Sequence, residues 1–250
     1  MNFAFGCAKK SYERGIHPRM LIGPGDIPVL KKRIRSGYGK RIMSAMRRFV
    51  GPTISTILQS RDLPTLLKHD RKNAFGMTAH HQVRHIALVG VLDEDADAIE
   101  AARRVLSAQG GSLGYGFGSQ AFDLMQPHLS AEARHAFVAT GAAFIRKQLP
   151  ESRSHYLRHA GGNIPLVCDM EAPLACLLAI KGEPGAGDLE SEQAELLTFF
   201  EAALNVVFNP DGYPEEDMGY GTFIAARMAE LAEPLRRAGL YDAYRQCPRY

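Results

Sequence analysis

Between Ile164 and about Lys181 the sequence has apolar side chains on nearly every face of a helix. Such a helix is stable in water only when other elements cover it all round. The rest of the chain must therefore wrap it, and the remaining pattern is helical too. Leu189 to Phe208 is dense with Leu196, Leu197, Phe199, Phe200, Leu204, Val206, Val207 and Phe208. The stretches 27–35, 40–50, 77–92, 96–109, 120–125, 131–149 and 222–238 also place apolar residues at helical spacing. No stretch alternates as a half-buried strand would. The expectation is all-α, about eight to ten helices arranged as serial antiparallel hairpins. Bundle, solenoid and (α/α) toroid all meet that description. The absence of a fixed-period repeat lowers the solenoid.

Turn chemistry sets the expected boundaries. Residues 1–26 read as an irregular opening segment, and 27–250 as one helical domain. Asp26 reads as an N-cap with Pro28 in the first turn. Gly37 and Gly39 interrupt the 27–35 helix before the next begins at Lys40, and 51–76 shows no strong period. Ser130 reads as the cap of the 131–149 helix. Pro150 to Gly162 reads as a polar connection, with Asn163 at the start of the apolar helix. Asn209-Pro210-Asp211-Gly212 ends one helix and Thr222 begins another. Between them, Asp211 to Gly221 forms a loop holding two tyrosines and four carboxylates.

Composition excludes several classes. The net charge of +3 does not argue for nucleic acid, and the basic run Lys31 to Arg48 lacks interleaved aromatics for base stacking. That run reads as a solvated face, so no nucleic-acid partner is expected. No apolar run reaches the length of a membrane span, so no membrane partner is expected. The first eight residues are too short and too mixed for a signal-peptide core. The chain as written reads as cytoplasmic, or periplasmic if a leader has been lost. Cys168 and Cys176, on one helix, would have Cα atoms about 12 Å apart, too far for a disulfide. His81 and His85 are spaced to share a metal, but they have no HExxH glutamate and no third ligand. A pocket-lining role fits them better, and neither metal nor cofactor is expected. The glycine-aromatic run Gly114 to Gly118 has no Gly-Lys-Ser/Thr after it, so it is not a phosphate loop.

Four short motifs, in order, resemble the helical domain of the heparinase II/III-like polysaccharide lyases, which include the oligoalginate lyases. His17-Pro18-Arg19-Met20-Leu21-Ile22, followed by Gly23-Pro24-Gly25-Asp26, is similar to that family's opening segment. Phe122-Asp123-Leu124-Met125-Gln126-Pro127-His128-Leu129-Ser130 resembles a helix junction of the family. Gly162-Asn163-Ile164-Pro165 resembles its helix start, and Asp211-Gly212 through Glu215 and Tyr220 its acidic-aromatic loop. The resemblance spans essentially the whole chain. It implies an incomplete (α/α) toroid of antiparallel helical hairpins with a cleft at one end. The family's C-terminal β domain, which closes over the cleft, is missing, so the chain reads as truncated there or completed by a partner chain.

The implied activity is β-elimination of 4-linked uronic-acid glycans of the alginate or glycosaminoglycan type. The C6 carboxylate must be neutralised, the C5 proton removed and the departing O4 protonated. By the resemblance, Asn163 neutralises the carboxylate with amide donors, helped by a helix N-terminus. Tyr220 donates the proton, with Tyr213 as its fallback, and Glu215 orients. Ile164 and Pro165 stand where many members carry a His, so the base is sought at His155 or His159, with His80, His81 or His85 in reserve. Arg153, Arg158 and Arg227 would offset the acidic loop against a polyanion. The implied partner is an acidic oligo- or polysaccharide. Two other readings stay open: a non-catalytic helical module binding acidic carbohydrate or a protein, and an (α/α)-toroid glycoside hydrolase. The hydrolase would need Glu215 or Asp217 facing Asp123 or Asp169.

Overall fold

The fold is that of a computed structural model, which describes residues 15–70, 79–109, 116–158, 163–208, 211 and 218–247. Among them the secondary structure is helical throughout: α1 Asp26–Arg33, α2 Gly37–Gln59, α3 Leu63–Asp70, α4 Ala79–Asp93, α5 Ala96–Gln109, α6 Phe117–Met125, α7 Ala131–Arg158, α8 Asn163–Ile180, α9 Glu190–Val207, α10 Met218–Arg237 and α11 Ala243–Gln246. The chain is all-α, as the sequence led us to expect.

Several boundaries differ from the turn signals. α2 runs through Gly51-Pro52, where the sequence suggested a break. Met43, Val50, Ile54 and Ile57 form one buried stripe along it, and burying that stripe outweighs the backbone bond Pro52 gives up. Arg104 of α5 then caps its end, donating to the carbonyls of Ile57, Leu58 and Ser60 at 2.6–2.7 Å. A guanidinium there meets both the unpaired carbonyls and the negative end of the helix dipole. α7 likewise passes through Pro150 and ends at Arg158, so His155 and Arg158 lie on a helix rather than in a connection. A two-pronged contact of Arg153 with Glu195 of α9, at 2.6 and 2.8 Å, ties the extra turns down. α10 begins at Met218, which moves Tyr220 and Gly221 from the expected loop into a first helical turn. Ser130 does cap α7, its Oγ accepting from Ala133 N at 3.1 Å. Asp26 is the first residue of α1 rather than its cap, and accepts from Gly23 N at 2.7 Å.

The helices pack in two rows. α4 lies on α6, α6 on α8 and α8 on α10; outside them run α2, α5, α7 and α9, with α5 against α2 and α7, and α7 against α9. The apolar helix α8 touches α6, α7, α9 and α10, which answers its need for cover. Cys176 sits at the α7–α8 contact, fully buried, and burial pushes its thiol up to about 12.

Gly90 is where α4 and α5 come closest. A Cβ there would stand 2.9 Å from Ile99 Cγ1 and 3.0 Å from the Ile99 backbone nitrogen. Helix propensity alone favours Ala at such a site by about 1 kcal/mol. The backbone contact reverses that preference. Gly90→Ala should lower stability by about 1–3 kcal/mol, read as a fall in the urea midpoint; a gain would show that the hairpin opens at little cost.

Candidate functional site

Two polar clusters are built into this apolar scaffold, one at the C-terminal ends of the inner helices and one about midway along α8 and α10. The first joins the opening segment to the C-terminal ends of α6 and α8. Asp123, buried near the end of α6, accepts from the backbone nitrogens of Arg19 and Met20 at 2.9–3.0 Å. His17 Nδ1 lies 2.7 Å from Asp123 Oδ1, and its Nε2 lies 3.1 Å from Glu183 Oε1. The buried Arg19 guanidinium donates to the carbonyls of Ala179 and Lys181 at 2.8 and 2.9 Å, capping α8. Arg237, at the end of α10, donates to Leu21 O and pairs with Asp26. Residues 17–21 thus form a strap across the C-terminal ends of α6, α8 and α10.

The second cluster draws on all four inner helices. Arg227 of α10 pairs with Glu171 of α8, its Nε 2.9 Å from Glu171 Oε2, and both side chains are almost fully buried. Glu230 Oε2 takes Arg227 Nη1 at 2.8 Å and Arg84 Nη1 of α4 at 2.9 Å. Arg84 also donates to Gln120 Oε1 of α6 at 2.9 Å. The Phe117 ring carries both guanidiniums, with centroid distances of 4.4 Å to Arg84 and 4.6 Å to Arg227. Gly116 makes the approach possible. Its φ is +73°, and a Cβ there would fall 2.8 Å from Ala175 Cβ.

Burial decides the electrostatics of this cluster. Desolvation pushes the Glu171 carboxyl up to about 7, against the opposing pull of Arg227. A carboxyl held there can carry a proton near neutrality, which is what acid–base work requires. Among the described residues no group of three His, Cys, Asp or Glu side chains could hold a metal ion. His85 packs edge-on against Phe49, 6.0 Å between ring centroids.

Paired positions show that the inner helices run parallel. Arg84 meets Gln120, and one turn on, Leu88 and Leu124 line the same cavity of about 210 Å³ under the strap. Gly116 lies against Glu171 and Ala175, while Asp123 reaches Glu183 through His17. Arg227 meets Glu171, and Arg237 meets the strap. The N-terminal ends of α4, α6, α8 and α10 therefore point toward one end of the molecule.

Of the residues expected from the sequence, Asn163 is the first residue of α8, Tyr220 the third of α10 and His81 the third of α4. His155 and Arg158 are in the last turn of α7. Those five are placed by their helix positions only. Tyr213, Glu215 and His159 lie outside the described residues. At the helical rise, Asn163 starts about 12 Å above Glu171, and Tyr220 about 10 Å above Arg227. The second cluster thus lies beneath that end of the row. Sequence reasoning passed over Arg84, Phe117, Gln120, Glu171 and Glu230. The usable signal was Glu171: a charge on a helix apolar all round needs a buried partner. Comparison with known proteins adds no relative: no family model matches the chain, and neither a curated protein nor a solved structure matches it.

Proposed function

We propose that the two rows form part of an (α/α) toroid of the heparinase II/III-like kind, and that its cleft lies at the N-terminal end of the inner row. The proposed reaction is β-elimination in a 4-linked uronic-acid glycan. Asn163 neutralises the C6 carboxylate and Tyr220 protonates the departing O4. Glu215 and Tyr213 hold the sugar, with Arg158 and His81 at the rim. His155, in the last turn of α7, or His159 takes the C5 proton.

The observation that carries this reading is the parallel, adjacent packing of α8 and α10. It brings the helix starts that bear Asn163 and Tyr220 to one end. A second observation agrees with it. Two of the resembling motifs, His17-Pro18-Arg19 and Phe122-Asp123, interlock through hydrogen bonds. The same contacts count against the hydrolase alternative. Asp123 is buried and committed to the strap, at the end of α6 away from the expected cleft.

The test is incubation with alginate, heparan sulfate and hyaluronan, following the ultraviolet absorbance of the unsaturated uronyl product. Product is expected on one of them, and Tyr220→Phe should slow it about a hundredfold. Binding without product, unchanged by Tyr220→Phe, would instead establish a carbohydrate-binding module. Neither binding nor product on any of the three would end the glycan reading.

A further inference from the structure

The outward face of α2 is unlike the rest of the surface. Tyr38, Ile42 and Phe49 are 71%, 45% and 41% exposed. At 100° per residue they fall within one narrow stripe, away from the buried stripe of Met43, Val50 and Ile54. Val29 on α1 adds a further exposed aliphatic group, at 50%. Four of the six large exposed apolar residues among those described thus lie on these two helices.

The charge around them is one-sided. Residues 27–61 hold nine Lys and Arg and no Asp or Glu, while the remaining 21 basic and 27 acidic residues sum to −6. Lys31 and Arg47 pair with Glu94 and Asp93. Lys32, Arg33, Lys40 and Arg48 have no ion pair with a described residue, and Arg41 lies over the Tyr38 ring at 5.5 Å. Arg41 and Arg48, seven residues apart, run along one edge of the apolar stripe.

We propose that this face of α1 and α2 docks on an anionic membrane surface, with Tyr38, Ile42 and Phe49 entering the headgroup boundary and the flanking basic groups meeting lipid phosphates and carboxylates. Charge complementarity selects the partner. A second copy would set this basic face against itself. A soluble polyanion would use the arginines but reward neither Ile42 nor Val29. An interfacial helix needs both an apolar stripe and basic flanks. No helix among the described residues is long and apolar enough to cross a membrane, so the contact is peripheral. This inference stands apart from the glycan reading and does not depend on it.

The test is co-sedimentation of the full chain with phosphatidylcholine vesicles and with vesicles of phosphatidylcholine and phosphatidylserine in equal parts. Binding is expected on the second only, and weaker in high salt. The double variant Arg41→Gln, Arg48→Gln should partition about thirtyfold less, at roughly fivefold per charge. Tyr38→Ser with Ile42→Ser should also release the protein, and circular dichroism would show both variants folded. No binding to the anionic vesicles would overturn the proposal. So would binding that the apolar variant leaves intact, or that duplex DNA or alginate competes away completely; that result would assign the face to soluble polyanions.

Discussion

Asp123→Ala should cost the protein about 3–5 kcal/mol of stability, a large share of what a domain has to lose. The carboxylate is buried and receives the backbone nitrogens of Arg19 and Met20 together with the His17 ring. Removing it leaves those donors facing an apolar wall, at about 1–3 kcal/mol for each that stays unsatisfied. It also releases the strap whose Arg19 caps α8. In urea the midpoint should fall by roughly 1.5 M, for a slope near the upper end of the usual range. Asp123→Asn keeps one acceptor oxygen and should cost about half as much. If Asp123→Ala unfolded within about 1 kcal/mol of the parent, the strap would not be a structural clamp, and the cluster would need another role.

The second large effect concerns Glu171 and has a sign fixed by burial. In the folded state its carboxyl is raised to about 7, from 4.5 in the unfolded chain. Between those values the folded state holds a proton that the unfolded state has lost. Stability from this group is therefore full below about pH 4.5 and falls as pH rises through about 7. The raised value corresponds to about 3 kcal/mol. Glu171→Gln cannot titrate and still presents an oxygen to Arg227. The difference in unfolding free energy between parent and variant should move by about 3 kcal/mol in the variant's favour from pH 4.5 to pH 8. Other titrating groups are common to both proteins and drop out of the difference. Movement in the opposite direction would mean that the pair with Arg227 outweighs desolvation and that Glu171 is ionised throughout.

The helices were legible where apolar periodicity was strong. α5, α8 and α9 lie within a residue or two of their sequence boundaries, and Ser130 capped α7 as its type suggests. The misses share one cause. Pro52 and Pro150 are local stop signals, yet both helices run on. Burial of Ile54 and Ile57, and the Arg153–Glu195 contact, are long-range gains that no window of sequence contains. Tyr220 moved from loop to helix because α10 begins four residues before the sequence boundary.

The candidate site divides along the same line. Residue type and motif order drew attention to Asn163, Tyr220 and the opening His17-Pro18-Arg19. They could not tell which of these residues build the scaffold. His17, Arg19 and Asp123 are bound into the strap, while Asn163 and Tyr220 begin helices at the other end of the row.

By itself the sequence determined that the chain is all-helical and that α8 must be surrounded, because side-chain periodicity and apolar area are local properties. Only the tertiary structure decided that α4, α6, α8 and α10 run side by side in parallel. It alone brought Arg84, Phe117, Gln120, Glu171, Arg227 and Glu230 into contact. Those six residues come from four helices far apart in the chain, with the charges on α4, α8 and α10, and the pairing that lets the charges be buried exists only once the helices have packed.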